Sequence, residues 1–293
     1  MKLFTALYND AKLLGHFLRH YANAGVTNFF IAVSPEFGDR LDQFRDSYQI
    51  MVMADLDVAD SVMGGTAAVS EMRRIHQHED EWVVIVDLDE FVDFQEPVEA
   101  ILSTADRENA NVVRGIMYDR FSADGQLNDF APGDDLAKIY PIKARFFHNV
   151  MGCGDHKGVL VRGHIKSAAG VGHHLFEDER LCSKLLEISH FKWIPGALDR
   201  LRDAHRRYVE AGIPGEIEYR RAVDHYARHR RFAWETFGGQ FGDDFVPHVP
   251  ERCTDCPAPL SEAEYRFSVS RYGKPLCRAD QKKYRLSHAQ YQL

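Results

Sequence analysis

The chain has 293 residues, 45% of them hydrophobic, and a formal net charge of −8. That composition is globular rather than disordered, and the acidic balance argues against general nucleic-acid binding, which needs a basic surface. No apolar run reaches the roughly 18 residues that span a bilayer, and the opening Met1-Lys2-Leu3-Phe4-Thr5-Ala6-Leu7-Tyr8 is too short and too soon polar for a signal peptide, so a cytoplasmic protein is expected.

Leu3 to Tyr8 reads as a first strand, and Asn9-Asp10 opens a helix. Asp10 is the expected N-cap of a segment to Ala24, in which Leu13, Leu14, Phe17, Leu18 and Tyr21 share one face and Gly25 is the stop. Asn28 to Ser34 is a second strand, a helix is expected around Arg40 to Asp46, and Ile50 to Ala54 is a third strand running into Asp55-Leu56-Asp57. A helix from about Thr66 to His78 leads to a strand at Trp82. Alternation of this kind marks an α/β sheet with parallel strands. After Pro97 the pattern is less regular. Val112 to Tyr118, Ile142 to Phe147, Gly158 to Val161 and Leu185 to His190 read as strands of an antiparallel extension. Ala197 to Phe232 reads as helical, broken at Gly212-Ile213-Pro214-Gly215, and carries nine arginines interleaved with acids. Its unbalanced end, Arg228-His229-Arg230-Arg231, is a candidate for peripheral contact with anionic lipid.

The most informative stretch is Trp82-Val83-Val84-Ile85-Val86-Asp87-Leu88-Asp89-Glu90-Phe91. A β-branched run buried on both faces ends in three carboxylates, at the end of a strand where ligands of parallel sheets gather. In an extended segment Asp87 and Asp89 point the same way and can share one cation. Mg²⁺ or Mn²⁺ held there would neutralise a diphosphate leaving group.

With Asn9-Asp10 after strand one, Gly25-Val26 after helix one, and Asp87-Leu88-Asp89-Glu90-Phe91, the N-terminal half resembles the GT-A-type glycosyltransferases, near family 2 and family 92. The resemblance covers roughly residues 1 to 200. Asp10 stands where the family usually has Glu, and Ser34-Pro35-Glu36 replaces the more usual Asp-Asn-x-Ser. The resemblance implies a Rossmann-like mixed sheet with flanking helices and a helical C-terminal extension. It implies a domain over 1–247, with a nucleotide-sugar half to about 100 and an acceptor half beyond. It also implies inverting transfer of a sugar from a nucleotide-diphosphate donor, UDP being the commonest in such folds, to a glycan or lipid-linked acceptor. Asp89 would then be the principal metal ligand and Asp87 would face the ribose or the metal. Asn9, Asp10, Asp55 and Asp57 would line the nucleoside pocket, and Arg73 would reach the diphosphate.

Six histidines, His148, His156, His164, His173, His174 and His190, crowd the segment that follows. Leu186-Glu187-Ile188-Ser189-His190-Phe191 resembles the family's strand ending in His-aromatic, which makes His190 the expected third metal ligand and His174 the second choice. Imidazole beside carboxylates suits Mn²⁺. An inverting transfer needs a base near the acceptor hydroxyl. The candidates are Asp155, in the loop Gly152-Cys153-Gly154-Asp155, then His174 and Glu177. Asp119-Arg120 is a candidate acceptor contact.

Five cysteines, three of them near the C-terminal end, fit a local metal site better than a disulfide framework. Cys253, Cys256, Cys277 and Asp280 have zinc-ribbon spacing, so residues 248–293 are expected to form a small ribbon-like module with structural Zn²⁺. Two other classes compete with the transferase. One is a haloacid-dehalogenase-type phosphatase, whose Asp-x-Asp motif also follows an apolar strand. The other is a non-catalytic binding protein built on a degenerate transferase domain.

Overall fold

The computed structural model of the protein describes residues 1–8, 11–53, 64–167, 173–212 and 216–244. The expected N-cap at Asp10 and the ribbon-like tail from 248 lie outside the described residues.

Strand β1 (Lys2–Leu7) is followed by a short 3₁₀ turn and helix α1 (Leu14–Asn23), which stops at Gly25 in the left-handed region, φ 89°. Next come β2 (Asn28–Val33), α2 (Asp39–Asp42), β3 (Gln49–Met53), α3 (Gly64–His76) and β4 (Trp82–Ile85). The helix expected to reach Asp46 is a single turn. Leu41 is its one buried residue, too little apolar surface to repay nucleation of a longer helix. The second half adds β5 (Glu90–Asp93), α4 (Val98–Arg107), β6 (Val112–Phe121), α5 (Leu136–Ile139), β7 (Ile142–Ala144), β8 (His156–Arg162) and β9 (Leu181–His190). It closes with α6 (Ala197–Ala211), α7 (Glu216–His229) and β10 (Gln240–Phe241).

The ten strands of the described residues form one mixed sheet. Strands β3, β2, β1 and β4 run parallel, in that spatial order. β8 then pairs antiparallel with β4, and β6 antiparallel with β8. On its other side β6 runs parallel to β9, which carries β5 antiparallel. Along the last residues of β6, β7 replaces β8 as neighbour, with β10 beyond it. The mixed α/β architecture and the helical extension expected from the sequence are present, and the extension of the sheet is antiparallel except where β9 runs parallel to β6.

Strand alternation sorts the core into two layers. Leu3, Leu7, Val84 and Val86 pack on the face covered by α1 and α4, with Leu14, Phe17, Leu18, Tyr21, Ile101 and Ala105. Phe4, Ala6, Val83 and Ile85 pack on the other face beneath Ala68, Val69 and Met72 of α3. A third cluster of Phe121, Phe146, Trp193, Leu201, Ala222 and Phe232 docks α6 and α7 against the β6–β7 end of the sheet. Tyr21 pins α1 to β5, its hydroxyl donating to Glu90 O at 2.9 Å and accepting from Val92 N at 3.1 Å. These layers leave one edge open, where β1 and β4 end and α6 faces back toward them.

Candidate active site

That opening is a cleft of about 540 Å³. Ala6 and Tyr8 from the end of β1, Glu36 after β2, and Gly65 and Thr66 of α3 line one end. Asp87, Leu88, Asp89, Glu90, His174 and His190 line the middle, and Lys192 with one face of α6 lines the other end.

The three acids after β4 sit in a tight turn, not in an extended segment. Glu90 N donates to Asp87 O at 3.1 Å, and Asp87 N donates to Glu90 Oε2 at 2.8 Å. The two aspartates therefore have different partners, which corrects the expectation of one shared cation. The Lys157 ammonium, buried on β8, donates to Asp87 Oδ2 at 2.5 Å and to both Glu90 oxygens at 2.8 and 2.9 Å. Burial alone would push this ammonium toward its neutral form, but Asp87 and Glu90 outweigh that and raise its pKa. Burial also raises the Glu90 carboxyl, against the pull of Lys157.

Asp89 instead faces His190, whose Nε2 lies 3.4 Å from Asp89 Oδ2. The other ring nitrogen, Nδ1, is 2.9 Å from Oδ1 of the fully buried Asp119, which also accepts from Trp193 Nε1 at 2.8 Å and Phe147 N at 2.7 Å. Burial disfavours the imidazolium, yet the carboxylates of Asp89 and Asp119 prevail and lift the His190 pKa to about 10. The same ring counteracts burial at Asp89 and holds that carboxyl below its usual range. A carboxylate fixing the far nitrogen of a histidine, with its near nitrogen beside a second carboxylate, is the donor arrangement that suits a divalent cation. Asp89 and His190 could hold such an ion only after the His190 ring gives up its Nε2 proton, because the metal-free pair is an imidazolium beside a carboxylate. Asp87, held by Lys157, does not join them, and among the described residues no group of three or more His, Cys, Asp or Glu is gathered to hold a metal.

Of the other expected site residues, His174 lines the cleft. Its Nδ1 is 2.6 Å from His156 O and so carries the proton, which leaves Nε2 as the basic nitrogen. Burial lowers its pKa to about 4. Asp155 is displaced from the expected role, because it is buried outside the cleft in a two-point pair with Arg145, at 2.6 Å to Nε and 2.5 Å to Nη2. Glu177 is solvent-exposed and likewise outside the cleft. Arg73 is buried away from it, donating to Gln77 Oε1 at 2.9 Å, Gly163 O at 2.9 Å and Ile165 O at 3.3 Å. Asp119, first expected at the acceptor, is fully buried behind His190 and does not line the cleft. Asn9, Asp10, Asp55 and Asp57, and Cys253, Cys256, Cys277 and Asp280, lie outside the described residues.

Lys157 and the α6 wall escaped the sequence reading, and Glu90 entered it only as the third carboxylate of the motif. Lys157 carries no signal of its own, since its role depends on β8 lying beside β4. Asp119 did carry one, as an acid inside the otherwise apolar run Ile116-Met117-Tyr118 and Phe121.

Among the described residues no helix is long and apolar enough to cross a membrane. No family model and no curated protein matches the chain. Among solved structures, HddC from Yersinia pseudotuberculosis shares 7% identity over 68% of this chain and 96% of its own, with a TM-score of 0.36. The mannose-1-phosphate geranyltransferase from Thermus thermophilus shares 17% identity over 41% of each chain, with a TM-score of 0.25. The mannose-6-phosphate isomerase from Helicobacter pylori shares 10% identity over 56% of this chain and 70% of its own, with a TM-score of 0.30. At these scores the likenesses carry no argument about function, which rests on the cleft itself.

Proposed function

We propose that the protein is a metal-dependent glycosyltransferase that moves a sugar from a nucleotide-diphosphate donor, UDP by preference, to a glycan or lipid-linked acceptor with inversion. The observation that carries this reading is the Asp119–His190–Asp89 relay, aimed into a cleft at the carboxyl end of a parallel sheet. When bound, Mn²⁺ or Mg²⁺ supplies Lewis-acid stabilisation of the departing diphosphate. Asp89 and His190 would hold it, the donor's phosphates completing the shell. Asp119 keeps the His190 ring turned toward Asp89. Lys157 offsets one of the two negative charges that Asp87 and Glu90 can carry, so that a doubly charged phosphate meets fewer uncompensated carboxylates. Lys192, which lowers the Asp89 pKa through space, takes the diphosphate role first expected of Arg73. Tyr8, Glu36 and Thr66 line the end available to the nucleoside. His174, with Nε2 unprotonated, is the described cleft residue suited to accept the acceptor's proton, in place of Asp155 and Glu177.

Thermal unfolding with UDP and Mn²⁺, together with assay of UDP release from a panel of UDP-sugars, tests the reading. Stabilisation by UDP only when Mn²⁺ is present, lost in Asp89→Ala, is the expected result. Phosphate release from phosphomonoesters, or pyrophosphate release from a nucleoside triphosphate and a sugar phosphate, with no response to UDP, would overturn it.

A further inference from the structure

The β5–β9 ladder has a second face. Glu90 pairs with His190 and Phe91 with Ser189 along it, and alternate residues of a strand point to opposite faces of the sheet. Glu90 and His190 accordingly line the candidate active site, whereas Phe91, Asp93, Ser189 and Phe191 line a separate open groove against α1. The two share no lining residue. The groove encloses about 580 Å³, within the range of about 300–1,000 Å³ typical of small-molecule sites. Its floor is apolar, made by the buried Phe91, Phe191 and Leu136, with the two rings edge to face at 5.1 Å. Its charged lining is balanced, Arg19, Arg120 and Lys143 standing against Asp93, Asp134 and Asp135. Most of these groups are held in place by the protein. The Arg120 guanidinium, 5% exposed, donates from Nε to Tyr140 O at 2.9 Å and reaches Ala137 O from Nη2 at 3.5 Å, with its carbon 5.8 Å from the centre of the Phe191 ring. Arg19 donates to Pro132 O at 2.7 Å and Lys143 to Glu187 Oε2 at 3.1 Å, while Asp134 and Asp135 accept from Ala131 N at 2.6 Å and Ala137 N at 3.1 Å. His16 and His20, one turn apart on α1, also line the groove. Their Nε2 atoms lie 3.2 Å from Ala131 O and 2.9 Å from Val92 O, so Nε2 carries the proton in each ring and Nδ1 is the acceptor.

Three cations and three carboxylates give no field of one sign, so an anionic or a cationic ligand would meet as much repulsion as attraction. A hydroxyl both donates and accepts. It can therefore use guanidinium, carboxylate and imidazole alike, and hydrogen bonds to charged groups are the stronger ones. We propose that the groove behind the β5–β9 ladder binds a neutral saccharide, whose hydroxyls meet the mixed rim while its C–H surface rests on the apolar floor. This site is separate from the candidate active site and does not depend on the chemistry performed there.

The test titrates the full chain, without metal or nucleotide, by ligand-observed NMR. The neutral probes are cellobiose and N,N′-diacetylchitobiose, matched by cellobiouronic acid as the anionic control and by chitobiose with free amines as the cationic one. At least one neutral disaccharide should bind with a Kd of about 1 mM or tighter, and about tenfold more tightly than its charged counterpart. Its affinity should change little in high salt, where that of a charged ligand would fall. Asp93→Ala, at an exposed position, should weaken it about tenfold, and so should Arg120→Lys, which keeps the charge and loses the planar fork. Asp89→Ala, in the other cleft, should leave it unchanged. Should Arg120→Lys fail to fold, Asp93→Ala decides alone. Absence of binding by both neutral disaccharides, preference for the charged counterparts, or an affinity untouched by Asp93→Ala would overturn the assignment. So would an affinity lost in Asp89→Ala, since the sugar would then sit in the candidate active site. UDP–Mn²⁺ binding is read separately and bears on the transferase proposal alone, so either proposal can fail without the other.

Discussion

Lys157 illustrates how one buried cation shapes an acidic site. Its ammonium is 2% exposed and bridges Asp87 and Glu90, of which Glu90 is also buried. Replacing it by Met leaves the Glu90 carboxylate buried without its partner, so Lys157→Met should lose roughly 3 kcal/mol of stability in urea unfolding. The double variant Lys157→Met, Glu90→Gln should recover part of that loss, because the stranded charge is gone. Asp119 acts at one remove: it touches His190 and not the cleft. Asp119→Asn should keep the fold and weaken Mn²⁺ binding by about 10- to 100-fold in a direct titration, as is usual when the orienting carboxylate behind a metal-binding histidine is changed. Unchanged Mn²⁺ affinity would mean that His190 is not a ligand.

At the scale of elements, the close approach of β6 and β9 places His190 beside Asp119, and a glycine makes that approach possible. A Cβ at Gly115 would stand 2.7 Å from Ile188 Cδ1 and Cγ1 and 2.9 Å from Val159 Cγ2. Gly115→Ala should therefore cost about 1–3 kcal/mol by overpacking, read as a lower urea midpoint, and Ile188→Val in the same chain should restore part of it. The strand ending in Asp-x-Asp, the helix face of α1 and the break between α6 and α7 are all legible in the sequence, because periodicity and turn residues are local. The fates of Arg73 and Asp155 are not. Nothing near Arg73 in sequence announces the carbonyls of Gly163 and Ile165, and nothing near Asp155 marks Arg145 as its partner at 2.5 Å. Both look like free charges in the sequence and are consumed by contacts between elements.

For the whole molecule, buried neutral imidazoles set the response to acid. Burial lowers the pKa of His173 to about 3 and that of His174 to about 4, against 6.5 in the unfolded chain. Below pH 6.5 the unfolded chain binds protons that these folded sites refuse, so stability should fall as pH drops from 6.5 toward 4, by roughly 1 kcal/mol per pH unit for each imidazole. His190 has the opposite sign. Its folded pKa of about 10 contributes stability that is fully present below 6.5 and lost as pH rises through 10, so it adds no slope in the acid window. Urea midpoints of the metal-free protein at pH 7 and pH 5 check this, and His174→Gln should flatten the decline.

What the amino-acid sequence determined by itself is the α/β class, the order of the first elements and the place of the acidic turn at the end of β4. Each follows from hydrophobic period, glycine stops and charges clustered within a few residues. The tertiary structure alone decided which charges face the cleft. It gave Asp87 to Lys157, Asp89 to His190, and the stripe from Ala197 to Tyr208 to the opposite wall. Those partners lie far apart along the chain, and only the register of β8 and β9 and the docking of α6 bring them within reach of one another.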